Sequence, residues 1–295
     1  MSRPVASTPH LVWAGGHAVL LLAGIRCLLS LLAFWSSSRR LNAYYYIAYI
    51  GAIVSYGIVV YKSFGVPQLT KAYFQRAAMD ENVQYFLLSL YWFWHKPIIV
   101  TLVPFVVFSL FHVLTFVRTT IIPMAFPSTP SSSSSSGRAD GTAAQTPPPM
   151  PKKVGQVIQT WVKGNYDPAM RFVAYSEVFI FLRLLGGAMI LRNSLISPLL
   201  YAHFLRLRFY MSSFTRQAFT HVGDLLDQAT KDNRCPPAVR RGYLTARDLV
   251  SRYASSVLSV SNQGSAAGAP AGAAGGAAPA SGTSGAAAGG AGAGR

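Results

Sequence analysis

The sequence predicts an all-α fold: a multispan helical membrane protein, with about four transmembrane helices or hairpins and a C-terminal amphipathic helical region. Three observations carry that prediction. Of 295 residues, 51% are hydrophobic and only 12% charged, whereas a soluble domain carries about 25% charged residues. Four apolar runs approach the roughly 20 residues that cross a hydrocarbon core about 30 Å thick at 1.5 Å per residue. Lys and Arg total 26 against 9 Asp and Glu, a formal net charge of +17. Low charge with a basic excess suits basic residues gathered on one side of a bilayer. Apolar runs of this length argue against a nucleic-acid-binding domain. The two cysteines, Cys27 and Cys235, cannot make a disulfide scaffold.

Leu11 to Trp35 is the first run, with Trp13 and Trp35 at the depth of aromatic anchors. It exceeds a signal-peptide core in length and no small-x-small cleavage site follows, so it reads as an uncleaved span. Asn42 to Tyr61 is the second, opened by Tyr44-Tyr45-Tyr46. Ile98 to Val117 is the third and carries no formal charge. Phe172 to Leu191 is the fourth, interrupted by Glu177 and Arg183. Backbone groups in lipid must bond to one another, so each span is simplest as a helix. Val83 to Trp94 is a shorter apolar run that stops at His95-Lys96-Pro97, because proline disfavours helix in the residue before it. It is too short to cross alone. Asp80-Glu81 precedes it and fits a helix N-terminus, where negative charge is favoured.

Basic residues outside the spans set the orientation. With four full spans, the N-terminus, residues 62–97 and everything after Leu191 share a side holding 16 of them, against 8 on the other. Both termini are then cytosolic. The 118–171 loop, with its Lys152-Lys153 pair and serine run, falls on the far side in that reading. If 83–117 and 172–210 are hairpins that enter and return, the loop joins the termini instead.

The chain divides into membrane helices one to three (1–126), a Ser/Pro-rich disordered loop (127–153), an interfacial helix with the fourth membrane helix (154–191), basic cytosolic amphipathic helices (192–262) and a disordered Gly/Ala tail (263–295). Six consecutive serines, Ser131 to Ser136, and Pro147-Pro148-Pro149 mark the loop as unable to build a core. Val154, Val157, Ile158, Trp161 and Val162 recur at helical spacing and suggest a short helix on the membrane surface.

Past the fourth span, Leu199, Leu200, Phe204, Leu207 and Met211 read as one apolar stripe, with His203, Arg206 and Arg208 beside it. Phe214, Ala218, Val222, Leu225 and Ala229 read as a second. The third carries Val239, Tyr243, Ala246, Val250, Tyr253 and Val257, with Arg240, Arg241, Arg247 and Arg252 off the stripe. A helix with an apolar stripe and an arginine face lies in the headgroup layer of an anionic membrane. Arg240, Arg241, Arg247 and Arg252 are the candidate headgroup- or partner-binding residues. Val239, Tyr243, Val250, Tyr253 and Val257 are the candidates for insertion or packing.

No His-Glu-x-x-His, Gly-x-Ser-x-Gly or Walker A pattern occurs, and the Gly-x-Gly repeats of the tail follow no strand. No catalytic residue, metal ligand or cofactor is assigned. Arg26, His112, Glu177 and Arg183 are the intramembrane polar candidates. An ionised group at mid-bilayer costs at least about 2.5–3.5 kcal/mol, so such groups face the bundle or reach an interface. Glu177 and Arg183 are about 240° apart on a helix and cannot pair. Arg26 with Glu177 is the more economical partnership and reads as structural glue. A small transporter or ion-conducting protein using these four residues is the alternative reading.

Several stretches resemble, in order and spacing, the transmembrane protein 33 family of the pore-membrane protein 33 type. They are Asp80-Glu81 leading into Tyr85-Phe86-Leu87-Leu88-Ser89-Leu90, Pro97 with Pro104 to His112, Phe172 to Phe179, Tyr201 to Tyr210, and Cys235-Pro236 with Val239-Arg240-Arg241. The resemblance implies a non-enzymatic, multi-pass protein of the endoplasmic reticulum and nuclear envelope. It implies a part in tubular-network shaping and in nuclear pore complex assembly or distribution. The partners it implies are nuclear pore membrane proteins, reticulon-type proteins and an importin-type carrier; the arginine face adds anionic lipid headgroups, and the long apolar runs argue for no nucleic acid.

Overall fold

The computed structural model describes residues 7–30, 38–126, 150–231, 235–238, 240–245, 247–248 and 252. The chain forms two compact units, Met1–Asp232 and Asn233–Arg295. The regular secondary structure among the described residues of the first unit is all helical: α1 (Thr8–Leu29), α2 (Ser38–Phe64), α3 (Lys71–Ala78), α4 (Glu81–Trp94), α5 (Leu102–Phe116), α6 (Ile122–Ala125), α7 (Met150–Met189), α8 (Ile196–Met211) and α9 (Ser213–Lys231). A 3₁₀ turn, Ile99–Thr101, leads into α5, and a π-helical turn, Val117–Ile121, joins α5 to α6. Four helical stretches are long and apolar enough to cross a membrane: Thr8–Leu29, Asn42–Phe64, Ile99–Ala125 and Lys153–Met189.

Contacts fix the direction of each helix. Gly16 meets Gly51, and Arg26 sits beside Tyr44, so α1 and α2 run antiparallel. The Tyr56 ring stacks on Tyr85 and Tyr46 meets Phe93, so α2 and α4 are antiparallel. Tyr85 also meets Phe105 and Phe108 of α5, so α4 and α5 form a hairpin joined through aromatic side chains. Glu177 and Arg208 face each other across the α7–α8 turn, which makes a second hairpin. Direction therefore alternates through α1, α2, α4, α5, α7 and α8. One end of the bundle gathers the end of α1, the start of α2, and the α4–α5 and α7–α8 turns. The opposite end gathers the start of α1, the end of α2, the start of α4, the end of α8 and α6. This is the hairpin arrangement of 83–117 and 172–210, and it brings the segments on either side of 127–149 to the second end. At 14 and 16 residues, α4 and α8 extend about 21 and 24 Å, so each is a short limb beside a full-length span.

Small residues allow the α1–α2 crossing. A Cβ on Gly16 would lie 2.9 Å from the Gly51 carbonyl, and one on Gly51 would lie 2.6 Å from the Gly16 carbonyl. Lipid is as apolar as leucine, so close backbone packing replaces the hydrophobic effect as the force between such helices. Ser55 donates to the Trp13 carbonyl across the same crossing at 3.0 Å. The core between the hairpins is aromatic: Tyr45, Tyr49, Tyr56, Tyr85, Trp92, Phe105 and Tyr201 are buried. The Tyr45 hydroxyl donates to the Trp92 carbonyl at 3.4 Å and the Tyr85 hydroxyl to Glu177. Tyr49 is 2.7 Å from the Thr101 hydroxyl and Tyr91 is 2.6 Å from Ser197.

Two sequence readings change here. The surface helix starting at Val154 and the fourth span are one continuous helix, with Pro168 inside it. Trp161 and Tyr166 pack on Phe111 of α5, and Arg118 donates to Gln159, so contacts to α5 hold the first half upright. The first stripe after that span is turned. The buried face of α8 is Ser197, Pro198, Tyr201, Phe204, Leu205 and Arg208, while Leu199 is 70% exposed. The second stripe holds for Phe214, Ala218 and Val222, which pack on Ala174 and Val178 of α7; Leu225 and Ala229 are exposed. The Asp80 carboxylate caps α4 by accepting from the Val83 N–H at 3.0 Å.

Candidate functional site

Arg208 is the centre of a buried ionic cluster that joins three helices. Its side chain is 5% exposed, and the carboxylate of Glu177 is fully buried. The guanidinium lies 2.8 Å from a Glu81 oxygen and 3.5 Å from a Glu177 oxygen. It also sits over the Tyr85 ring, 5.6 Å from the centroid. Tyr85 donates its hydroxyl to the same Glu177 oxygen. The second Glu177 oxygen makes no hydrogen bond, nor do the Arg208 Nε and Nη1 hydrogens. The cluster is thus held by charge proximity and one phenol donor rather than by a bidentate fork. Glu81 begins α4, Glu177 lies in α7 and Arg208 lies in the last turn of α8. The cluster therefore ties the free ends of the two short limbs to a full-length span.

The intramembrane residues named from sequence do not meet one another. Arg26 does not pair with Glu177. It is exposed in the last turn of α1, its guanidinium 5.5 Å from the Tyr44 ring centroid. Glu177 takes Arg208 because the α7–α8 hairpin sets the two side by side. Arg183 is exposed near the end of α7, against Gly187. His112 lies at the α1–α5 contact, its ring 4.5 Å from His17 and 5.3 Å from Trp13. His17 is buried, with Nδ1 2.9 Å from the Ser109 hydroxyl. No group of three or more His, Cys, Asp or Glu side chains suited to a metal occurs among the described residues. Sequence reasoning missed Tyr85, Glu81 and Arg208 as one site. The available signal was the period of α8, where Tyr201, Phe204 and Arg208 share a face.

In the second unit, residues 237–238, 240–245, 247–248 and 252 are helical. Arg240, Arg241, Arg247 and Arg252 are all exposed. On an ideal helix of about 100° per residue the four positions would span an arc of roughly 140°. Arg252 pairs with Asp248 at 2.8 Å, an exposed i,i+4 bridge of the kind worth about 0.3–0.5 kcal/mol. Tyr243 is half-buried. Val239, Val250, Tyr253 and Val257 lie outside the described residues, as do the serine run and the Gly/Ala tail.

Long apolar helices, alternating in direction and bonded through buried tyrosines, define a multi-pass integral membrane protein. The chain belongs to the family described as Transmembrane protein 33/Nucleoporin POM33, whose model matches residues 5–256. It is 30% identical over 270 residues to the Tetra-spanning protein 1 of Schizosaccharomyces pombe, covering 90% of this chain and 91% of that protein. It is 32% identical over 276 residues to the Nucleoporin POM33 of Chaetomium thermophilum, covering 89% and 92%. The Pore membrane protein of 33 kDa of Saccharomyces cerevisiae is 28% identical over 253 residues, covering 81% of each chain. No solved structure matches the chain.

Proposed function

We propose that this chain is a non-enzymatic protein of the endoplasmic reticulum and nuclear envelope that favours curved membrane and contributes to nuclear pore complex assembly or distribution. The observation that carries the curvature reading is the arc of exposed arginines, Arg240, Arg241, Arg247 and Arg252, on a helical segment following a membrane bundle. Each cation near an anionic leaflet adds about 1 kcal/mol. A helix seated in one leaflet widens that leaflet and so favours bending. The first unit supports the same reading. The short limbs stop at Glu81 and Met211, and α3 and α9 are added at that end. One leaflet thus receives more helix than the other. The names of the Chaetomium and Saccharomyces relatives support the pore role. Pore membrane proteins, reticulon-type proteins and an importin-type carrier are the partners this reading proposes.

The test is sorting of the full-length protein into tubes pulled from giant vesicles containing anionic lipid. The protein should be enriched in the tube, and salt should reduce the enrichment. Replacing all four arginines by glutamine should weaken association of this segment with the bilayer by roughly two to three orders of magnitude and abolish enrichment. Equal density in tube and vesicle, with the arginines intact, refutes the curvature role.

A further inference from the structure

The end of the bundle that carries the two hairpin turns contains a cavity of about 440 Å³. That is within the range of about 300–1,000 Å³ typical of small-molecule sites. The end of α4 and the turn after it contribute Trp94, His95 and Lys96; the turn after α7 contributes Arg192, Asn193 and Ser194; Ser197 of α8 also lines it. No acidic residue lines it, and the sequence has none between Glu81 and Asp140 or between Glu177 and Asp224. Helix dipoles do not set its sign, because α4 and α7 end there while α5 and α8 begin there. The positive character is that of the Lys96 and Arg192 side chains.

Two further features mark the site as built. Leu191, also in the lining, holds φ at 55°, alone in positive φ among the described non-glycine residues. A bulky residue there costs energy that its surroundings must offset. The strained turn lets the N–H groups of Arg192 and Asn193 both donate to the Gly187 carbonyl, at 2.8 and 3.1 Å. The Asn193 side-chain amide is buried against Gly187 of α7, so it fixes the turn on the end of that helix.

The depth of the cavity identifies the ligand. The ends of all four long apolar stretches that face this way, Leu29, Asn42, Ile99 and Met189, place it where hydrocarbon gives way to headgroups. Trp94, 75% exposed, is the amphipathic ring expected at that level. Arg and Lys side chains at that depth make charge-assisted hydrogen bonds to phosphate oxygens. We propose that this cavity holds the phosphate of a phospholipid of the leaflet at the hairpin-turn end, with Lys96 and Arg192 paired to it. The ligand seals the two turns to each other. The site rests on the chain being a membrane protein, not on the curvature reading, and its test reads bound lipid rather than membrane shape.

The experiment is native mass spectrometry of the full-length protein in detergent, titrated with dioleoylphosphatidylserine or, separately, with glycerol 3-phosphate. A one-to-one phosphatidylserine adduct should survive activation, and glycerol 3-phosphate should give none. K96Q/R192Q should lower the adduct tenfold or more. K96R/R192K should retain it, as should K71Q/R76Q, which removes the same charge from the α3 region. All variants should elute as the parent does. An adduct undiminished in K96Q/R192Q, an equal loss in K71Q/R76Q, or no adduct in the parent overturns the site. Glycerol 3-phosphate binding as strongly as the lipid overturns the lipid assignment.

Discussion

Arg208 shows what one residue can do when a hairpin buries it. Its charge is offset by Glu81 and Glu177, and removing it strands the Glu177 carboxylate where no water reaches. Breaking a buried pair from one side costs about 3–5 kcal/mol, whereas replacing both partners by uncharged groups of similar volume is often near neutral. Arg208→Met should therefore lower thermal stability in detergent strongly, and Glu177→Gln combined with Arg208→Met should recover most of the loss. A single variant as mild as a surface substitution, about 0.5 kcal/mol or less, would show that the cluster carries no stability. Sequence reading found Glu177 as a charge needing a partner and gave it Arg26. Which of several arginines meets it depends on how α7 turns into α8, and charge arithmetic holds no information about that turn.

Helices were more legible than charges, because length and apolar content suffice to define them. All four spans were readable, and the proline at position 97 marked the stop after α4. The period of α8 was misjudged because Leu199 and Leu200 faced outward into what is a greasy surface, where leucine is no guide to the interior. In water the apolar stripe points to the core; in lipid both faces are apolar, and small or polar residues mark the packed side. The α1–α2 crossing follows that rule and gives a test with an internal control. Gly16→Ala and Gly51→Ala each place a methyl against backbone oxygen of the other helix, an overpacking of about 1–3 kcal/mol. Gly15→Ala meets nothing within 4 Å and gains about 0.5–1 kcal/mol of helix propensity. Unfolding in detergent should rank Gly15→Ala at or above the parent and both other variants below it. The reverse order would place the α1–α2 contact elsewhere.

At the scale of the molecule, the alternation of helices decides sidedness more sharply than the run of apolar segments does. Four isolated spans put loop 118–171 opposite the N-terminus. Folding α4 against α5 and α7 against α8 returns the described ends of that loop, up to Phe126 and from Met150, to the N-terminal end. The basic residues then sort by end. Among the described residues up to Lys231, the end with the N-terminus holds twelve and the hairpin-turn end six: Arg26, Arg39, Arg40, Lys96, Arg183 and Arg192. Since Lys and Arg accumulate on the cytosolic side, that distribution agrees with the hairpin arrangement and a cytosolic N-terminus. Single cysteines introduced at Met124 or Lys153, in a chain with Cys27 and Cys235 replaced by alanine, should react with a membrane-impermeant maleimide in sealed, cytosol-side-out microsomes. Cysteines at Lys96 or Arg192 should react only after the membrane is opened. Full protection at both Met124 and Lys153 would restore four separate spans. It would also dissolve the two hairpins as membrane elements, because α4 and α8 can lie against the aromatic core only by entering the bilayer beside α5 and α7.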